Sequence, residues 1–264
     1  MSIRLHAMPV YDMDDISSVK KLSNIAHESN YHSILFVYHS LSGDYWIRCA
    51  NAINLNHKFK YFFAIRTYAI SPEYFVMMYR SFNEIQKNRI MFNIVSGDIH
   101  PSESSIENII IEKQKLDTVE KRVQYTHKWI KKVFSILEQN EVPEIVMSGV
   151  SEQTLDIAAT YADYSLCMLD NYVYDPKKFE RNKNKMVCAA LILRDTYEEA
   201  EQAADQIEYA HQKFWTIHGT EEQVVEKINN LKKIGVTDLL IRTHRHDVDA
   251  YRVHELTKKY KGII

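Results

Sequence analysis

Short apolar runs alternate with amphipathic stretches along the chain, and this alternation predicts strands followed by helices in regular order. The clearest unit is residues 89–98, Arg-Ile-Met-Phe-Asn-Ile-Val-Ser-Gly-Asp, where apolar residues run almost unbroken from Ile90 to Val95 into a polar end. Such a run fits a strand covered on both faces, as in a parallel sheet with helices outside. The same pattern predicts further strands over 3–8, 33–38, 61–65, 144–147, 164–168, 186–194 and 239–241. Helices are predicted over 14–26, 45–53, 116–139, 152–161 and 248–260, and from the starts Ser71-Pro72-Glu73, Thr196-Tyr197-Glu198-Glu199 and Gly219-Thr220, the last ending at Gly235. Residues 99–115, with Pro101, serines and acidic side chains, read as an exposed, mobile connection despite Ile109 to Ile111.

Eight strands alternating with helices, without a linker or a break in composition, predict one (β/α)8 TIM barrel spanning 1–264. The alternative is an open doubly wound sheet. Its glycine-rich turn after the first strand is absent, since that position reads Pro9-Val10-Tyr11-Asp12.

Composition narrows the class. Of 264 residues, 45% are hydrophobic and 26% charged, and the net charge of −2 gives no polyanion-binding signature, so no nucleic-acid partner is expected. Cys49, Cys167 and Cys188 are odd in number and widely spaced, which argues for a reducing compartment. No apolar run spans a bilayer and residues 1–9 do not read as a secretory signal; a cytoplasmic protein without a membrane partner is expected.

In a barrel the chemistry sits where the strand C-termini converge. That rule gathers Tyr38, His39, Ser42, Arg66, Asn93, Ser96, Asp98, Ser148, Asp170, Arg194, Arg242, His244 and His246. A buried Asn93 needs partners for its amide, so it closes a core network or meets a polar ligand. Ser148 to Ser151 opens a helix, where free N–H groups attract an anion and where Ser151 can equally serve as N-cap. His244-x-His246 points its rings to opposite faces of a strand and has no third ligand near, so no metal is expected. Neither Ser42 nor Ser148 stands in a nucleophile elbow. The stripe Phe75, Met78, Tyr79 and Phe82 reads as core.

Several of these segments, in order, resemble the bacterial luciferase-like flavin monooxygenases, most nearly alkanesulfonate monooxygenase. They are Arg66 with Ser71-Pro72; residues 89–98; Pro143-Glu-Ile-Val-Met-Ser-Gly-Val-Ser-Glu152 with Ala158, Ala159, Ala162 and Asp163; Leu191-Ile-Leu-Arg-Asp-Thr-Tyr-Glu-Glu-Ala200; Gly219-Thr-Glu-Glu-Gln-Val224; and His246 with Ala250-Tyr251-Arg252. The resemblance implies the same barrel, with reduced FMN at its mouth and O2 as co-substrate. It sets Asn93 beside the flavin, Ser42 where the relative has cysteine, and Ser148, Gly149, Val150 and Ser151 in place of a Gly-Gly-Ser-Ser turn at the flavin phosphate. Arg122 stands where a tyrosine meets that phosphate, and Arg66 joins the cofactor contacts. Asn93, Arg242, His244 and His246 are the implied catalytic residues.

The chain also departs from that family. Ala190 and Cys188 replace a histidine and an arginine on strand seven, His244 replaces a tyrosine, and Met168 replaces a tryptophan. The long insertion before the last strand is nearly absent between Ala210 and His218. The expectation is therefore a compact FMNH2-dependent monooxygenase, supplied by a separate flavin reductase and acting on a small organic substrate, an anionic one included. The alternatives are a non-catalytic flavin-binding barrel or partner subunit, and a deazaflavin-dependent enzyme. A homodimer through the early helices is also expected, on the large residues Trp46, Phe75, Tyr79 and Phe82.

Overall fold

Followed from strand to strand, the backbone register returns to its starting point. In the computed structural model, residues 2–8, 23–24, 27–37, 45–50, 58–96, 105–206, 216–243 and 248–260 are described. Their strands are β1 (Arg4–Met8), β2 (Ser33–Phe36), β3 (Lys60–Arg66), β4 (Ile90–Val95), β5 (Glu144–Ser148), β6 (Tyr164–Met168), β7 (Asn184–Leu193), β8 (Thr216–Gly219) and β9 (Asp238–Thr243). Each of β1 to β7 pairs in parallel with the next, β7 pairs with β9, and β9 closes the ring on β1. Matched residues of parallel neighbours share a face of the sheet. Beginning at His6, that face carries Ser33, Lys60, Phe62, Met91, Asn93, Val146, Ser148, Leu166, Met186, Cys188 and Leu240, and Leu240 is again opposite His6. This is the inside of the eight-stranded parallel TIM barrel.

The sequence pattern predicts eight strands and misses β8, which pairs with Ala190 to Leu193 of β7. Because β6 takes β7 only as far as Cys188 and β9 holds the opposite edge, β8 continues the side that β6 leaves. Four residues buried at alternate positions are too few to separate a strand from a loop by periodicity.

Helices cover the outside. Among the described residues they are α1 (Tyr45–Ala50), α2 (Pro72–Ile85), α3 (Ser105–Gln114), α4 (Val119–Ile136), α5 (Glu152–Tyr161), α6 (Leu169–Tyr174), α7 (Tyr197–Asp205), α8 (Glu221–Lys233) and α9 (Val248–Lys259). Hydroxyl caps set several starts: Ser71, Thr118, Ser151 and Thr196 each accept from the backbone N–H three residues on, and Thr220 with Gln223 forms a reciprocal capping box. An aromatic layer joins α1, α2 and α4 to the sheet. Trp46 stacks on Phe63 at 5.0 Å, and Phe75 meets Phe92 and Trp129 edge-on at 4.7 and 4.9 Å. Phe75, Tyr79 and Phe82 are buried core, as the sequence predicts. No described helix is long and apolar enough to cross a membrane.

The N-terminal half of the barrel is filled by charge. Asp238 accepts from Arg4 and from Nε2–H of His6, whose Nδ1 is hydrogen-bonded to the Ser33 hydroxyl at 2.7 Å. Glu144 takes Lys60 and the Tyr164 hydroxyl, and the Arg4 guanidinium lies over the Tyr164 ring. These pairs span β1, β2, β3, β5, β6 and β9, so each strand is tied to its register by a partner that a one-residue slip would remove.

Candidate active site at the C-terminal mouth

Among the described residues, Met8, Leu35, Ala64, Arg66, Asn93, Val95, Ser148, Met168, Cys188, Ala190 and Arg242 face inward toward the strand C-termini. Two of them form the polar centre. Ser148 donates to Asn93 Oδ1 at 2.5 Å, and Asn93 is 5% exposed. Both readings of Asn93 therefore meet at one place, since the amide closes a hydrogen bond on the face that lines the mouth. Its NH2 group keeps two further donors.

Beside this pair the chain makes the turn into α5. Gly149 has φ of +138°, and a Cβ there would stand 2.8 Å from Thr154 Cγ2, so glycine is required both by conformation and by contact. Ser151 caps the helix by accepting from Thr154 N–H at 3.2 Å, and its hydroxyl also meets the Thr154 hydroxyl at 2.8 Å. Ser96 lies 3.5 Å from that same hydroxyl. The result is a glycine turn seated on a buried threonine, opening a capped helix whose dipole and remaining first-turn N–H groups favour an anion. Thr154 was not picked out from the sequence; a hydroxyl at the third position after an N-cap was the available signal.

Arg66 and Arg122 have recorded partners of their own. Arg66, on the inward register at the end of β3, lies 3.8 Å from Glu107 of α3, and Tyr68 donates to the same carboxylate oxygen at 3.0 Å. Arg122, in the first turn of α4, is buried and donates to the Leu116 carbonyl at 2.9 Å. The expected exposed connection over 99–115 is corrected here. Its residues 105–114 form α3, with Glu107 fully buried and Ile111 packed with Tyr68 and Leu116. Polar composition hid this, because the residue that anchors the helix is itself an acid. The long helix after it starts at Val119, capped by Thr118, rather than at residue 116.

Cys188 is buried 4.0 Å from the Met8 sulfur, and burial pushes its thiol up to about 12 against the pull of Arg242. It is a neutral lining group, not a nucleophile. Among the described residues no group of three His, Cys, Asp or Glu side chains is placed to hold a metal ion. Ser42, His244 and His246 lie outside the described residues, as do Tyr38, His39, Asp98 and most of the predicted 14–26 helix.

No protein-family model matches the chain. Solved structures do match it in fold. Long-chain alkane monooxygenase superposes with a TM-score of 0.79 at 11% identity, covering 99% of this chain and 91% of that one. The shared fold is the eight-stranded parallel TIM barrel. The EDTA monooxygenase of Chelativorans sp. BNC1 gives 0.77 at 11% identity over 100% and 95% of the two chains. The coenzyme F420 dependent tetrahydromethanopterin reductase of Methanopyrus kandleri gives 0.71 at 14% identity over 97% of each. The same barrel fold is thus found in monooxygenases and in an F420-dependent reductase alike.

Proposed function

We propose that the chain is a flavin-dependent oxidoreductase, a monooxygenase that takes reduced FMN from a separate flavin reductase and acts with O2 on a small organic substrate. The observation that carries this reading is the hydrogen-bonded pair of buried Asn93 and half-buried Ser148 on the inner face, continuous with the Gly149 turn and the capped start of α5. These residues fit a group that has a polar ring edge at one end and a phosphate at the other. Asn93 holds the ring edge through its amide, and the turn from Ser148 to Ser151 holds the phosphate through N–H groups and hydroxyls. Bound FMN supplies the redox chemistry, while the polypeptide orients it and excludes water. α3, pinned by Glu107 against Arg66 and Tyr68, serves as cover, and Arg242 is assigned to substrate binding, with His244 and His246, which lie outside the described residues, assigned to the same role on the resemblance alone. Sulfonate cleavage is not part of the proposal, because Ala190 and the neutral, buried Cys188 stand where the resemblance would require a histidine and an arginine.

The second reading is a deazaflavin cofactor on the same turn. It is supported by the match to the F420-dependent reductase, which spans 97% of both chains. Anaerobic absorbance titrations with FMN, FMNH2 and coenzyme F420, followed by rapid mixing of the FMNH2 complex with O2, separate the readings. Micromolar FMNH2 binding with O2-dependent oxidation is expected. Binding of F420 alone selects the second reading, FMNH2 binding without a change in its O2 reaction selects a flavin-binding barrel, and binding of none overturns all of them.

The proposal includes a homodimer. The aromatics Trp46, Phe75, Tyr79 and Phe82, from which self-association was expected, are buried within the subunit. On the same two helices, however, Ile47, Tyr74, Met77 and Ile85 are exposed, at 70%, 55%, 64% and 48%. Tyr74, Met77 and Ile85 follow one another along a single outward stripe of α2.

A further inference from the structure

Thr154 lies beneath the turn that leads from β5 into α5, and its two branches meet different partners. Its methyl group sits under Gly149, where a Cβ would stand 2.8 Å away. Its hydroxyl meets the Ser151 hydroxyl at 2.8 Å and the Ser96 hydroxyl at 3.5 Å. Thr154 and Ser96 are each 2% exposed, whereas Ser151 is open to solvent. A β-branched side chain in a helix has few staggered choices, so the methyl contact under Gly149 also fixes where the hydroxyl points. The Ser151 oxygen already accepts the Thr154 N–H at 3.2 Å. A hydroxyl has two lone pairs and one proton, which leaves two arrangements of the pair. When Ser151 donates to Thr154, its proton is turned under the helix start. When Thr154 donates to Ser151, the N–H and O–H of one residue take both lone pairs of the Ser151 oxygen, and the Ser151 proton is directed outward. An anion outside the turn favours the second arrangement, since a hydroxyl bonds a charged acceptor more strongly and each donor in a chain polarises the next. A second observation marks the same place as a binding site. Asn93, 5% exposed, uses its carbonyl oxygen for Ser148, and its NH2 group meets no acceptor among the described residues.

We infer that Thr154 is a positioning residue for the anion site: its hydroxyl turns the Ser151 proton toward the phosphate of the bound cofactor, with Ser96 as the donor behind it. Thr154 itself does not touch the ligand. The inference rests on the flavin reading, in which the turn from Ser148 to Ser151 holds the FMN phosphate. Substitution separates the two branches, because valine keeps the methyl under Gly149 and removes the hydroxyl, and serine does the opposite.

The test is titration of the whole chain with FMN and with riboflavin, followed by flavin fluorescence, together with melting temperatures, on the wild type, Thr154→Val and Thr154→Ser. Thr154→Val is expected to weaken FMN about tenfold and to leave riboflavin within about twofold, as loss of one contact to a charged group requires. Thr154→Ser should keep the wild-type ratio of the two affinities even where its melting temperature falls. A residue that only packs under the turn gives the reverse order, with Thr154→Val like the wild type and Thr154→Ser impaired, and that result overturns the inference. It is also overturned if Thr154→Val weakens FMN and riboflavin equally, or if Thr154→Ser, which decides alone should Thr154→Val not fold, loses the preference for FMN. Each of these outcomes leaves the flavin reading standing. A wild type that binds FMN and riboflavin alike overturns the inference while keeping the flavin, since no phosphate contact then exists to direct; a wild type that binds no FMN removes the flavin reading and the role of Thr154 together.

Discussion

Ser148 donates a 2.5 Å hydrogen bond to Asn93 Oδ1 across neighbouring strands β5 and β4, on the face that looks into the barrel mouth. Removing the donor leaves a buried acceptor without this bond. Ser148→Ala is therefore expected to lower stability by about 1–2 kcal/mol and to weaken FMN binding as well. Urea melts and FMN titration check this; an unchanged FMN affinity would remove Ser148 from the cofactor site.

The phosphate assignment to the turn from Ser148 to Ser151 predicts discrimination against riboflavin, which has the same ring and no phosphate. Loss of charge-assisted contacts of about 1.5–3 kcal/mol corresponds to about one to two decades of affinity. Equal binding of FMN and riboflavin would sink the assignment.

Much of the barrel was legible because its strands are apolar on both faces and its helices begin at hydroxyl caps. Glu152–Tyr161 and Tyr164–Met168 coincide with their predicted bounds for that reason. The site was legible in part. Asn93 announced itself as an amide in an apolar run, and Ser148 as the polar end of the next strand, but their mutual bond depends on a register that one sequence does not state. Glu107 and Thr154 were hidden because each gains its meaning from a partner distant in the chain or beneath a glycine. Arg122 is set at the flavin phosphate by the resemblance alone, and in the fold it bonds the Leu116 carbonyl.

Glu107 ties α3 to the barrel through Arg66 and Tyr68. Glu107→Gln keeps a polar group for Tyr68 and removes the charge opposite Arg66, and breaking a buried pair in this way costs about 3 kcal/mol. The effect should be local. Amide exchange is expected to accelerate across residues 105–114 while β4 and β5 keep their protection; uniform loss of protection would mean that α3 is not a separately opening cover.

Acid should loosen the barrel from its N-terminal end. His32 is held down to about 4, so between its ordinary value near 6.5 and about 4 the folded chain binds fewer protons at this position than the unfolded chain does. Stability therefore falls as pH falls through that window. Asp238 and Glu144 act in the same direction below it, since their cationic and hydrogen-bonding partners hold both carboxylates low despite burial. Melting temperatures from pH 7 to 4 should drop steadily, with a shallower slope in His32→Asn. A slope unaltered by that change would show that His32 is not the group responsible.

Self-association through α1 and α2 predicts a dimer by light scattering at micromolar concentration, and Met77→Lys should shift it to monomer without lowering the stability of the subunit, because Met77 is 64% exposed. A wild type that is strictly monomeric at that concentration refutes the interface.

Asn93→Asp is the sharpest probe of the mouth. An aspartate keeps an acceptor for the Ser148 hydroxyl, so the bond between β5 and β4 can persist while a negative charge enters beside the cofactor. Reduced FMN is itself anionic at its ring and the oxidised form is not, so repulsion falls on FMNH2 and largely spares FMN. The affinity ratio of the two forms should change by about tenfold, equivalent to about 1.4 kcal/mol. If Asn93 served the core alone, burying the new charge would lower the melting temperature and leave the ratio as it was. Both affinities and the melting temperature, measured on one variant, distinguish these outcomes, and a constant ratio would remove Asn93 from the cofactor's side.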